Sequence, residues 1–121
     1  RTDASLSERY LLMKRGSDDA HVAVSGAGEV PPFVCLDEAS GAEEPVACQA
    51  LACANGTIKL VTTGAGALAA GDLVVPAANG RVAKIAAGAG NYYVVGMVVA
   101  AVPATAGEVF EAIPIGAWKT Q

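Results

Sequence analysis

The sequence predicts a small all-β domain, a compact barrel or sandwich of short strands. Three observations carry that expectation. Short apolar runs rich in Val and Ile recur along the chain, separated by Gly, Pro and Asn turns at a spacing of about 8 to 12 residues. Two Asn-Gly dipeptides, Asn55-Gly56 and Asn79-Gly80, are strong hairpin signals. The side chains are small: 53% of residues are hydrophobic, but only 5% are aromatic, and Ala and Val dominate alongside 14 Gly. A chain of 121 residues and 12.0 kDa is one domain's length, and folding at that size removes roughly two thirds of the unfolded surface from water.

Residues 1–8 are polar and carry no strand pattern, so they read as an extended N-terminal arm ahead of a single β-rich domain, residues 9–121. Ser5-Leu-Ser-Glu8 spells a capping box and would allow one helical turn, which Gly16 would stop. Tyr10-Leu-Leu-Met13, the turn cluster Gly16-Ser-Asp-Asp19 and His21-Val-Ala-Val24 spell a hairpin. Pro31-Pro32 forces an extended approach to a short strand, Phe33-Val-Cys-Leu36. Asp37 to Pro45 is an acidic loop. Val46 to Ala54 is small and apolar, strand or helix by period alone. Thr57 to Thr62 alternates with β-branched residues and reads as a strand after the Asn55-Gly56 turn. Gly64 to Gly71 is a small-residue loop. Asp72-Leu-Val-Val75 is a strand stopped by Pro76, and Asn79-Gly80 turns it into Arg81-Val-Ala-Lys-Ile85. A second small-residue loop leads to Tyr92 through Val99, with Gly96 as a bulge or kink. Pro103 to Gly107 is a turn, and Glu108 to Ile113 alternates as the last strand. The tail from Gly116 to Gln121, with Trp118, is expected to be exposed or docked on a neighbour.

The chain also echoes itself at an offset of about 60 to 63 residues. His21-Val-Ala aligns with Arg81-Val-Ala, Phe33-Val-Cys-Leu36 with Val95-Gly-Met-Val98, and Gly41 to Val46 with Ala106 to Val109. Two copies of one small β module would pack their faces together.

Charge and composition exclude several functions. The net charge is −4, and residues 1–48 hold 4 basic and 9 acidic groups. An acidic chain without a basic patch is not expected to bind nucleic acid or an anionic membrane, although its acidic half could face a basic partner. No apolar run is long enough to cross a membrane as a helix, and Arg1-Thr-Asp-Ala-Ser is expected to carry no signal peptide. Cys35, Cys48 and Cys53 are odd in number and irregular in spacing, so they are expected to be reduced small hydrophobes. Together with His21, the only His, they match no zinc spacing.

No catalytic, cofactor or metal site is expected. His21 beside Asp18 and Asp19 is read as a turn residue rather than an oriented base. Cys35 with His21 carries no mark of a nucleophile pair. Gly64-Ala-Gly66 and Gly88-Ala-Gly90 lack the spacing of a phosphate cradle. Asp37-Glu38 and Glu43-Glu44 lack the spacing of a calcium loop. Ala-Gly-Asp72, Asn-Gly80 and Lys84 are similar to a biotinyl- or lipoyl-carrier domain. Such domains present their lysine at a hairpin tip, whereas Lys84 reads as lying within a strand. A small β-barrel carrier or adaptor of cellular origin is the alternative function.

An ordered series of segments resembles the capsid decoration (head cement) proteins of tailed bacteriophages. The series is Arg9 to Asp19, His21 to Val24, Val34 to Ser40 with Ala42 to Val46, Ala69-Ala-Gly-Asp-Leu-Val74 with Asn79 to Val82, Tyr93 to Met97, and Ala106 to Val109. The resemblance implies a non-enzymatic β-rich protein on the outside of the virion, made in the host cytoplasm. It implies a homotrimer at threefold or quasi-threefold positions that binds the major capsid protein after the head expands and clamps neighbouring subunits. In lambda-type relatives an N-terminal arm orders on the capsid by strand addition. By position, Arg1, Thr2, Asp3, Ala4, Ser5, Leu6, Ser7 and Glu8 are the candidate capsid-contact residues, expected to be dispensable for folding. Apolar edge strands point the same way, since a monomer would expose them to pairing with other chains.

Overall fold

The computed structural model describes residues 1–51 and 56–121, which are almost all β and form two antiparallel sheets. The first contains β1 (Leu12–Arg15), β2 (Val22–Val24), β3 (Phe33–Cys35) and β4 (Cys48–Ala50), in the order β2-β1-β3-β4. The second contains β5 (Ile58–Val61), β6 (Leu73–Pro76), β7 (Val82–Lys84), β8 (Asn91–Val98) and β9 (Val109–Thr120), in the order β5-β9-β8-β6-β7. The all-β expectation holds as an open two-sheet sandwich, not a closed barrel.

Local chemistry explains most of these elements. In β1, Leu12 and Met13 are fully buried, and Gly16 N donates to His21 O at 2.8 Å to close the turn into β2. Pro31-Pro32 offers no N–H to a ladder, so β3 begins at Phe33. In β5, Ile58 and Leu60 are buried and Lys59 between them is exposed. Between β6 and β7, Asn79 (φ 60°, ψ 32°) and Gly80 (φ 72°) both take the left-handed conformation that an Asn-Gly turn calls for. This tip docks on the first sheet: Gly80 N donates to Ser25 O at 2.8 Å. A Cβ at Gly80 would lie 2.9 Å from Leu12 O and from Val24 Cγ1.

The two sheets are built alike. Reversed, the second sheet reads β7-β6-β8-β9, which repeats β2-β1-β3-β4 strand for strand, with β5 added outside β9. The ladders agree in register: Met13 pairs with Val24 as Val74 with Lys84, and Met13 with Phe33 as Val74 with Gly96. The lone bridges agree too. Thr2 joins Val22 as Thr62 joins Val82, both parallel, and Leu6 joins Ala39 as Leu68 joins Val102, both antiparallel. Core positions follow: Leu6, Met13, Cys35 and Ala39 are buried where Leu68, Val74, Val98 and Val102 are. This strand pairing equates Phe33 with Gly96 and Cys48 with Ala112. The downstream segments are thus displaced by one residue from the alignment that letter identity suggests.

Several expectations are corrected. Residues 1–8 run extended but lie docked as the opening piece of the first module. Thr2 is 1% exposed and Leu6 3%; Thr2 N donates to Glu44 O at 3.0 Å, and Leu6 N to Ala39 O at 2.8 Å. No helical turn forms at Ser5–Glu8, because Leu6 is committed to Ala39 and Glu8 pairs with Arg81 at 2.9 Å. The Asn55-Gly56 turn and the stretch Ala52–Ala54 fall on or beside residues outside those described. The flanking strands β4 and β5 do not pair with each other, since β4 pairs with β3 and β5 with β9. The irregularity expected at Gly96 is present, but the extra residue is on β9: Ile115 and Gly116 (φ 63°) face Val95 alone. Gly96 is required for a different reason, since a Cβ there would sit 2.7 Å from Ile113 O. The tail from Gly116 to Gln121 is exposed, as expected, but as strand, with β9 continuing to Thr120 opposite Asn91.

Leu6→Ala is expected to lower folding stability by about 2–4 kcal/mol, as for other buried leucines. Ser7→Ala, at an exposed neighbour, should change it by less than about 0.5 kcal/mol. Urea unfolding midpoints check this; equal midpoints for the two variants would show that the arm is not docked.

Candidate functional site

The eight candidate contact residues divide by exposure. Arg1, Ala4, Ser5 and Ser7 are exposed, Asp3 and Glu8 are half-buried, and Thr2 and Leu6 are buried. Asp3 accepts from Ser17 N at 2.8 Å and Ser17 Oγ at 2.7 Å, which pins the segment to the β1–β2 turn. Glu8 receives Arg81 Nε at 2.9 Å, a half-buried ion pair between the modules. The exposed four present side chains to a partner, Arg1 while also lying 3.9 Å from Glu43.

His21 is the best-organised polar group. It directly precedes β2 with its side chain largely covered, Nδ1 at 2.5 Å from Asp18 and Nε2 at 2.9 Å from Glu43. Arg1 adds a 3.9 Å contact to Glu43. The hydrogen bonds from Asp18 and then Glu43 raise the His21 pKa above its ordinary 6.5, against the opposing effect of burial. The His21 hydrogen bond, helped by Ala20 N, lowers the Asp18 pKa. The cluster ties the arm, the first turn and the acidic loop together. Neither Cys35 nor Cys48 is among the His21 partners.

Cys35 and Cys48 face each other across β3 and β4 as free thiols. Burial, and then the neighbouring Cys35, push the Cys48 pKa up to about 12, which suits a packing residue rather than a nucleophile. Cys53 lies outside the described residues. Among the described residues, no group of three or more His, Cys, Asp or Glu is placed to hold a metal ion, and no helix is long and apolar enough to cross a membrane. Lys84 ends β7, 3.6 Å from Asp72, away from the Asn79-Gly80 tip, which is the place a carrier lysine would take.

The most distinctive surface is one that the sequence reading left unplaced. Of seven exposed large apolar side chains among the described residues, Val109, Ile113, Ile115 and Trp118 lie on β9 and Val99 just past β8. Beyond Gly116 the β8–β9 pair overhangs the sheet. There Tyr93 pairs with Trp118, ring centroids 5.6 Å apart and edge-on, with Trp118 61% exposed. Beneath the overhang lies a cavity of about 390 Å³ lined by Glu29, Pro76, Tyr92, Tyr93 and Trp118 among others. The first module has no such ribbon on its β3 side, where Pro31-Pro32 replaces the residues that extend β8. The missed signal was the apolar series Ile113, Ile115 and Trp118, which runs opposite Met97, Val95 and Tyr93 of β8. Pro114 and Gly116 broke it up in the sequence.

No protein-family model matches the sequence, and no curated protein matches it.

The His21 cluster carries a pH dependence of known sign. A raised His pKa adds stability that is fully present below about pH 6.5 and is lost as pH rises through the raised value. The lowered Asp18 pKa adds stability that is present above its ordinary 3.8 and is lost as pH falls through the lowered value. The Tm advantage of the natural chain over His21→Gln should therefore be largest near about pH 5 and shrink toward about pH 9. A Tm difference constant over that range would show that His21 is not held by carboxylates.

Proposed function

We propose that this chain is a capsid decoration protein of a tailed bacteriophage. On this reading it binds the outer surface of the major capsid protein lattice after head expansion and stabilises the expanded head, as a homotrimer at threefold or quasi-threefold positions. The observation that carries the reading is the apolar ridge along β9. Four exposed large apolar groups, Val109, Ile113, Ile115 and Trp118, lie on this one strand, and such a surface calls for a protein partner. The segments that resemble head-cement proteins support it further: Ala69 to Asp72 leads into β6, and Ala106 to Glu108 into β9. Self-association would cover the ridge, and the exposed arm residues Arg1, Ala4, Ser5 and Ser7 would face the capsid. The role needs no catalytic group, cofactor, nucleic acid or membrane, and it places the protein on the virion exterior after synthesis in the host cytoplasm.

Light scattering on the purified chain is expected to give about 36 kDa, three times 12.0 kDa. Ile113→Asp with Trp118→Ser, both at exposed positions, should shift it to the monomer mass while leaving the circular dichroism unchanged. In sedimentation, the natural chain should bind expanded heads stripped of decoration protein and leave unexpanded heads bare. Ser5→Arg with Ser7→Arg should weaken head binding at least about tenfold without changing the trimer mass. A monomer that ignores expanded heads, or a chain isolated with a modified lysine, would overturn the reading in favour of a cellular adaptor or carrier.

A further inference from the structure

The two modules differ chemically at one matched pair. In the second, Val98 of β8 faces Ala112 of β9, and both are buried apolar groups. In the first, the same place is held by Cys35 of β3 and Cys48 of β4, which are paired in register as free thiols. The frame needs only two small apolar side chains here, and the first module supplies two thiols instead.

The backbone brings these thiols together. Along β3 and β4 alternate residues make the ladder bonds: Leu36 N donates to Ala47 O at 2.8 Å, and Leu51 N to Pro32 O at 3.0 Å. Cys35 N donates away from β4, to Leu11 O at 2.9 Å. Cys35 and Cys48 are thus a non-hydrogen-bonded pair, the antiparallel position where side chains approach most closely, with Cα atoms about 4.5 Å apart. That separation lies within the range of about 4.4–6.8 Å that a disulfide spans. The thiols feel each other, since Cys35 contributes to raising the Cys48 pKa. Cys35 Sγ is otherwise engaged only by a weak donation to Asp37 O at 3.4 Å.

We propose that Cys35 and Cys48 are a modification site, closing to a disulfide that clamps β3 to β4 when a two-electron oxidant such as hydrogen peroxide is present. One thiol sulfur attacks a peroxide oxygen, the O–O bond breaks, and a sulfenic acid and one water form. The second sulfur then attacks the first, the S–O bond breaks, and the S–S bond forms as a second water leaves with the remaining thiol proton. Two thiols are oxidised to one disulfide and one peroxide is reduced to two waters. Burial and the high Cys48 pKa keep the thiolate scarce, so the step is slow and makes a lasting clamp rather than a fast sensor. The first module is the one that gains from a clamp. Its β3–β4 ladder runs only from Phe33 opposite Ala50 to Cys35 opposite Cys48, whereas β8–β9 runs from Asn91 opposite Thr120 to Val98 opposite Ala112. The bridge also closes the acidic loop, which holds Glu43 against His21 and Thr2. The proposal does not depend on the capsid reading.

The test uses the full chain with Cys53→Ser, which leaves only these two thiols, before and after hydrogen peroxide. Both thiols should be lost to a thiol reagent, and fragments cut at Glu38, Glu43 and Glu44 should stay joined across the cut. Dithiothreitol added afterwards should release the fragments, return both thiols and raise the mass by about 2 Da. The bridge should raise the Tm by at least about 5 °C, a gain that dithiothreitol removes. Cys35→Val with Cys48→Ala in the same background, which installs the second module's residues, should show no such reversible gain. The proposal is overturned if peroxide leaves both thiols free, if they end as separate sulfinic acids, if the bridge joins two chains, or if the Tm gain is absent.

Discussion

Each module hangs on the backbone of one buried threonine. Strands of three or four residues make few ladder bonds and fray easily. Thr2 bridges Val22 on one side and the Glu43-Glu44 backbone on the other; Thr62 does the same between Val82 and the Gly107-Glu108 backbone. Each thus joins the first-edge strand of its module, β2 or β7, to the segment that leads into β4 or β9. The hydroxyls brace the seam locally, Thr2 Oγ1 donating to Ala4 O at 2.6 Å and Thr62 Oγ1 accepting from Gly64 N at 3.1 Å. Without the seam, the core side chains beneath, Leu12 and Leu60 among them, would be open to water along one side. Packing alone does not hold strands this short in register.

The same frame is stabilised by different chemistry in its two copies. Where the second module turns with Gly71 and Gly107, the first holds Tyr10 (φ 65°) and Glu43 (φ 68°) in the left-handed region, a conformation that costs a residue with a side chain on the order of 1 kcal/mol. Both side chains are put to use. Tyr10 packs between the two cores and receives Lys59 5.4 Å above its ring, and Glu43 grips His21. In the second module Arg81 stands at the place of His21 and reaches Glu8 of the first. The first module is therefore tied down by charged side chains and the second by glycine turns and a longer β8–β9 pair. That pair carries the aromatic overhang and the apolar ridge.

This division of labour bears on the proposed role. A protein that must sit on a lattice and hold neighbours together benefits from a rigid frame with unsatisfied surfaces. The β9 ridge offers exposed apolar side chains to such a neighbour.

The sequence by itself determined the β class, most strand positions and the repeat. These follow from local steric and periodic rules: Asn-Gly at 79–80, Pro31-Pro32 before Phe33, the alternation of Ile58, Lys59 and Leu60, and the matched Val-Ala pairs after His21 and Arg81. It also marked the left half as acidic and found no catalytic constellation. What it could not reach was pairing over distance. That β5 joins β9 rather than β4, that residues 1–8 are the first module's counterpart of Thr62 and its neighbours, and that Trp118 finds Tyr93 were decided only by the tertiary structure. Strand pairing is made by backbone N–H and C=O groups, which every residue shares. The letters therefore mark where a strand can form, and only the closing of the seams and the burial of Leu6, Leu12 and Val34 decide which edge it meets.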